Sequence, residues 1–72
     1  MTGRVLVWFP ERGYGKIRGH QGADRRSYFA HASELVEVLA LTPGLLVEFN
    51  VVETGKGPRA VEVIPLEGSG RR

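Results

Sequence analysis

The chain has 72 residues, 42% of them hydrophobic and 25% charged, and its formal net charge is +2. This suits one small folded domain: the chain is too short to wall a deep catalytic cleft and too apolar to stay disordered. Without cysteine there are no disulfides and no thiolate metal site, and without a signal-length or membrane-length apolar run the expected location is cytoplasmic.

Five short apolar runs are punctuated by glycine, which occurs ten times. That is about twice the usual share of roughly 7%. Short runs of this kind predict the strands of a small barrel or sandwich. The first is expected over 4–9. It reads Arg4-Val5-Leu6-Val7-Trp8-Phe9 and lacks clean alternation, so either both faces are covered or a bulge shifts the register. The second, over 15–19, continues from Tyr14. Period two places Tyr14, Lys16 and Arg18 on one face and Gly15 and Ile17 on the other. The third, over 27–32, sets Phe29 and His31 opposite Tyr28, Ala30 and Ala32. Between this run and the next, Ser33 is a candidate cap for a turn or two of helix, with Glu34 and Glu37 in its first turn. Leu35, Val38 and Leu39 fall at helical spacing, and Thr42-Pro43-Gly44 ends the segment. The fourth run, over 45–53, turns Leu45, Val47, Phe49 and Val51 inward and Glu48 and Asn50 outward. The fifth, over 59–66, turns Val61 and Val63 inward and Arg59 and Glu62 outward. The domain is read as 1–67, with 68–72 a flexible basic tail.

Charge is polarised along the chain. Residues 1–31 carry a surplus of four positive charges and residues 32–67 a surplus of four negative ones. Eight of the ten cations are arginine, which can hold phosphate with two hydrogen bonds and stack on bases. A basic half favours an anionic partner such as nucleic acid, although a small sheet can also have one basic face for no such reason.

The candidate functional cluster is Trp8, Tyr14, Lys16, Arg18, Phe29 and His31. Rings exposed on adjacent strands inside a positive field would stack unpaired bases at about 1–3 kcal/mol each, while cations follow the phosphates. The competing reading puts aromatics in the core. Phe49 and Tyr28 are assigned there, and Phe29 taken alone would be too. Catalysis has little support, since His20 and His31 fall on different elements and no nucleophile–base–acid set is visible. Two histidines without clustered acids make a poor metal site, so no metal or cofactor is expected. Gly13-Tyr14-Gly15 lacks the pattern of a phosphate loop.

These segments resemble a cold-shock domain. Gly3 to Phe9 resembles the family's opening glycine, valine strand and Trp-Phe pair. Arg12-Gly13-Tyr14-Gly15-Lys16-Ile17 is similar to its Lys/Arg-Gly-Phe/Tyr-Gly-Phe-Ile motif, and Tyr28-Phe29-Ala30-His31-Ala32-Ser33 to its Val-Phe-Val-His-Phe-Ser motif. Pro43-Gly44 with Val47-Glu48-Phe49-Asn50-Val51, and then Lys56-Gly57-Pro58-Arg59-Ala60-Val61-Glu62-Val63, resemble its fourth strand, last loop and fifth strand. The resemblance spans about residues 3–66.

The resemblance implies an all-β, five-stranded antiparallel OB-fold barrel with a short helical turn between strands three and four. It implies binding of single-stranded RNA or DNA, RNA-chaperone action, and tuning of transcription or translation. The family's stacking positions map onto Tyr14, Phe29 and His31. Lys56 and Pro58 match the bordering loop, and Arg12 matches the basic residue before the glycine. Trp8 is expected to add a stacking ring, and Arg12, Lys16, Arg18, Lys56 and Arg59 to hold the backbone. There are departures from the family pattern. An ungapped alignment puts Val7 at the platform tryptophan and Trp8 one place later. Lys16 and Ala32 replace aromatics, and the loop at 33–41 is shorter and lacks its ring. Binding is therefore expected to lean more on charge than on stacking. A monomer is expected, without membrane or small-molecule partners. The rival reading is a protein-interaction or dimerisation module using the apolar stretch 35–41.

Overall fold

The computed structural model describes residues 1–19 and 26–66. His20, Asp24, Arg25 and the expected tail at 68–72 lie outside the described residues. The described residues form five strands: β1 (Thr2–Phe9), β2 (Tyr14–Gly19), β3 (Ser27–His31), β4 (Leu46–Thr54) and β5 (Gly57–Pro65). They close into a barrel in the order β1-β2-β3-β5-β4. The runs expected from sequence lie within a few residues of these strands.

One seam departs from the expected antiparallel pattern: β3 pairs with β5 in parallel, Phe29 opposite Arg59 and Ala30 opposite Ala60. The reason is parity. A closed ring with an odd number of strands cannot reverse direction at every seam. The other four seams are antiparallel.

The interior is filled by Val5, Trp8, Ile17, Tyr28, Ala30, Leu41, Val47, Phe49, Ala60 and Val63, all buried. Tyr28 and Phe49, both assigned to the core from sequence, pack with ring centroids 5.4 Å apart. The predicted faces of β2, β3 and β4 hold, because their alternation is unbroken in the sequence.

Two bulges alter the other strands. In β1 the pairing to β2 jumps between Val5 and Val7, leaving Leu6 as the extra residue. Beyond it the alternation resumes inverted relative to simple counting, with Val7 and Phe9 toward the outer face and Trp8 inside. In β5, Glu62 has φ +51° where the register to β4 shifts. The buried residues are consequently Ala60 and Val63, three apart, while the expected Val61 is only half-buried.

The expected helix is reduced to one 3-10 turn, Ala32–Glu34, and its cap is His31 rather than Ser33. Glu37 takes φ +77°, which ends any helical run. The chain is instead tied to β5 by Val36 N–H donating to Val63 C=O at 2.8 Å. Thr42-Pro43-Gly44-Leu45 closes as a turn with Leu45 N–H donating to Thr42 C=O at 3.0 Å. Gly44 sits at φ +89°, the third-position conformation that favours glycine after proline. Leu35 and Val38 pack on the core and Leu41 enters it, while Leu39 is 94% exposed. The apolar residues of 35–41 are thus divided between the core and the surface, and the rival docking reading is not favoured. Among the described residues, no helix is long and apolar enough to cross a membrane.

Candidate nucleic-acid interface

The outer faces of β1, β2 and β3 carry aligned side chains because strand pairing puts opposite residues on the same side. Phe9 lies opposite Tyr14, and Tyr14 opposite His31. In the next row, Val7 lies opposite Lys16, Lys16 opposite Phe29, Phe29 opposite Arg59, and Arg59 opposite Val52. Arg18 follows, opposite Arg4 on one side and Ser27 on the other.

Four rings connect across this surface. Phe9 meets Tyr14 edge-on at 5.7 Å between centroids, Tyr14 meets Phe29 at 5.3 Å, and Phe29 meets His31 at 6.5 Å. Phe9 is exposed, while Tyr14, Phe29 and His31 are half-buried, so each ring is wedged in place and still offers surface. The Arg59 guanidinium lies 5.9 Å from the Phe29 centroid. Beside Phe29 opens a cleft of about 410 Å³ lined by Lys16, Thr54, Lys56, Gly57, Pro58 and Arg59. Three cations and one ring thus share one concavity.

The positions of these groups follow from local chemistry. Arg12 is exposed in the β1–β2 turn, where Arg12 and Gly13 N–H both donate to Phe9 C=O, at 3.0 and 2.8 Å. Gly13 at φ +74° permits that geometry. Lys56 is exposed at the tip of the β4–β5 hairpin. There the Thr54 hydroxyl accepts from Lys56 N–H at 3.1 Å and donates to Gly57 C=O at 2.7 Å. Arg59 pairs with the Glu34 carboxylate at 4.0 Å, and its Nε is buried without a hydrogen-bond partner among the described residues. Glu34 is itself held by accepting from Glu62 N–H at 3.3 Å.

Trp8 is the correction. It is 8% exposed and its ring lies in the core, so it presents no stacking face. A methyl group at Gly15 would collide with the Val7 carbonyl and the Trp8 indole, so glycine at this position makes room for the ring. Phe9 takes the place on the surface that sequence reading assigned to Trp8. The only hint was the broken alternation of 4–9, which allowed a bulge without locating it. Arg12, Tyr14, Lys16, Arg18, Phe29, His31, Lys56, Pro58 and Arg59 all lie on or beside this face. Val7, aligned with the family's platform tryptophan, is on it too and contributes no ring.

A second depression, of about 360 Å³, shares no residue with the first; Val36, Glu48, Phe49, Asn50, Glu62 and Ile64 line it. Its acids contrast with the cations beside the rings. Among the described residues no group of three His, Cys, Asp or Glu side chains is arranged to hold a metal ion.

Comparison with known proteins agrees with the geometry. A family model described as the 'Cold-shock' DNA-binding domain matches residues 1–66. Cold shock-like protein CspC of Bacillus cereus is 35% identical over 68 residues, covering 92% of this chain and 100% of that protein. Cold shock-like protein CspI of Escherichia coli is 37% identical over 68 residues, covering 92% and 94%. A cold shock-like protein of Thermotoga maritima is 36% identical over 69 residues, covering 93% and 100%. A barrel with this strand order, a family match over nearly the whole chain and relatives matched over nearly their whole length lead to one conclusion: the chain belongs to the cold-shock domain family.

Proposed function

We propose that the protein binds single-stranded RNA or DNA across the outer face of β1–β3 and acts as an RNA chaperone in the cytoplasm. The observation that carries this reading is the row of four rings, Phe9, Tyr14, Phe29 and His31, bordered by Lys16, Arg18, Lys56 and Arg59. Every base has a face that stacks on a ring, so binding is tolerant of sequence. Each phosphate neutralised by a cation releases counterions, so affinity falls as salt rises. Trapping an unpaired strand shifts a weak hairpin toward its open form by mass action, without any energy source. Transcription and translation would respond wherever such hairpins control them.

With Val7 and Lys16 standing where the family carries rings, charge contributes a larger share of the affinity than stacking. The test is anisotropy of labelled oligothymidylate and oligouridylate at several salt concentrations. The expected result is saturable binding at low salt, with a low-micromolar or tighter midpoint, that weakens steadily as salt rises. Absence of binding at low salt would overturn the proposal.

A further inference from the structure

The 3-10 turn after β3 is capped by an imidazole. His31 has the extended backbone of an N-cap, φ −101° and ψ 150°, and its Nδ1 accepts from the Ser33 backbone N–H at 3.1 Å. Serine, threonine, aspartate or asparagine oxygens usually fill this role. The substitution has a chemical consequence. A backbone amide can only donate, so Nδ1 must keep its lone pair and carry no proton. The Ser33 hydroxyl, 3.0 Å from the same nitrogen, then has only the donor role open to it there, sharing the one lone pair with the amide. In the neutral ring the remaining proton is therefore on Nε2.

Nε2 has no hydrogen-bond partner among the described residues, and the ring stands at the end of the aromatic row, tilted 36° to Phe29. An N–H in the plane of a ring cannot reach a base stacked on that ring. It projects past the base edge, where the sugar–phosphate backbone of a stacked strand runs.

We propose that the backbone of the turn fixes His31 as its Nε2–H tautomer and that this N–H donates to a phosphate oxygen of the bound strand. His31 then has two roles at once: its face stacks and its edge anchors the strand. The inference rests on the proposed binding of single strands, and it adds a stated atom and a stated acceptor to that reading.

Two measurements test it. The first uses free protein. Long-range proton–nitrogen correlation of the labelled His31 ring, at mildly alkaline pH, is expected to give a single pattern with the proton on Nε2. A proton on Nδ1, or a mixture of tautomers, would overturn the cap assignment whether or not oligonucleotides bind. The second uses oligothymidylates with one linkage at a time made a neutral methylphosphonate, titrated against wild type and His31→Phe. Phenylalanine keeps a ring and removes the donor. One linkage is expected to lose about tenfold affinity with wild type and little with His31→Phe. Circular dichroism of the variant checks its fold. Equal losses at every linkage in both proteins would overturn the phosphate contact, as would a His31→Phe effect that depends on base identity and not on the linkage. Absence of binding by wild type would overturn the functional reading and the contact with it, while the tautomer would still be decided by the free-protein spectrum.

Discussion

Phe29→Ala separates a binding surface from a core more cleanly than any other substitution. Phe29 is at the centre of the ring row, 5.3 Å from Tyr14 and 6.5 Å from His31, with the Arg59 guanidinium 5.9 Å away. It also forms part of the cleft lined by Lys16, Lys56 and Arg59. Removing its ring takes away one base-stacking face, worth about 1–3 kcal/mol. At 1.4 kcal/mol per tenfold, affinity should fall roughly 5- to 150-fold. Stability should fall much less, because the side chain is half-buried on the outside of the barrel. Its folded-state loss is one partly covered ring and its contact with Tyr14, together about 1–2 kcal/mol. The control is Phe49→Ala. That ring is 1% exposed and packs on Tyr28, so truncation should cost about 3–5 kcal/mol of stability. Anisotropy with a labelled oligothymidylate gives the affinities, and denaturant melts give the stabilities. Binding within twofold of wild type, or destabilisation as large as that of Phe49→Ala, would refute Phe29 as an exposed stacking ring.

Three further outcomes follow from named contacts. Lys16→Phe puts a ring beside Phe29 and Val7, so at moderate salt it should tighten binding by about 1–3 kcal/mol. It should also lower the slope of log affinity against log salt by about 0.7; an unchanged slope would mean that Lys16 touches no phosphate. Glu37→Gly should stabilise the fold by about 0.5–1 kcal/mol. Glutamate is exposed at φ +77° there, and relief of about 1–2 kcal/mol outweighs the roughly 0.5–1 kcal/mol entropic cost of glycine; a lower denaturation midpoint would count against that assignment. Trp8 emission should be blue-shifted, poorly quenched by acrylamide and nearly constant while oligonucleotide anisotropy saturates, because the ring is 8% exposed; strong quenching by oligothymidylate would place it on the surface.

The parts of the fold that could be read in the sequence are those where one local rule acts alone. Val47 and Phe49 alternate with Glu48 and Asn50, so period two is enough to orient β4. Tyr14, Lys16 and Arg18 keep the same regularity in β2, and Phe29 and His31 in β3, which is why most of the candidate face was found. The failures occur where an extra residue enters a strand. A one-residue shift moves every later side chain to the other face. Leu6 does this in β1, where broken alternation allows a bulge without locating it, and Glu62 does it in β5 with no mark in the composition. A bulge with its residue at positive φ is ordinarily marked by glycine, yet Glu62 occupies that conformation as a glutamate. It is held there by Asn50 Nδ2 donating to its carboxylate at 2.7 Å and by its own N–H donating to Glu34. Those contacts come from 12 and 28 residues away, beyond the reach of any local pattern.

The bulge at Leu6 explains how the barrel keeps an aromatic outer face with valine at position 7. With Leu6 taking up one position, Trp8 turns inward over Gly15 and becomes the largest ring bordering the core, while Phe9 turns outward against Tyr14. The aromatic row is thereby moved toward the β1–β2 turn, where Arg12 is exposed. The row beside it is left to Val7, Lys16 and Arg59 around a single ring, Phe29. Rings thus dominate the row nearest the β1–β2 turn, with Arg12 beside it, and cations dominate the next row, around Phe29. A strand lying along it would meet rings first and cations next, so shortening an oligonucleotide should remove the salt-sensitive and the salt-insensitive parts of its affinity separately. A uniform platform, with rings and cations interleaved along its whole length, would lose both in proportion.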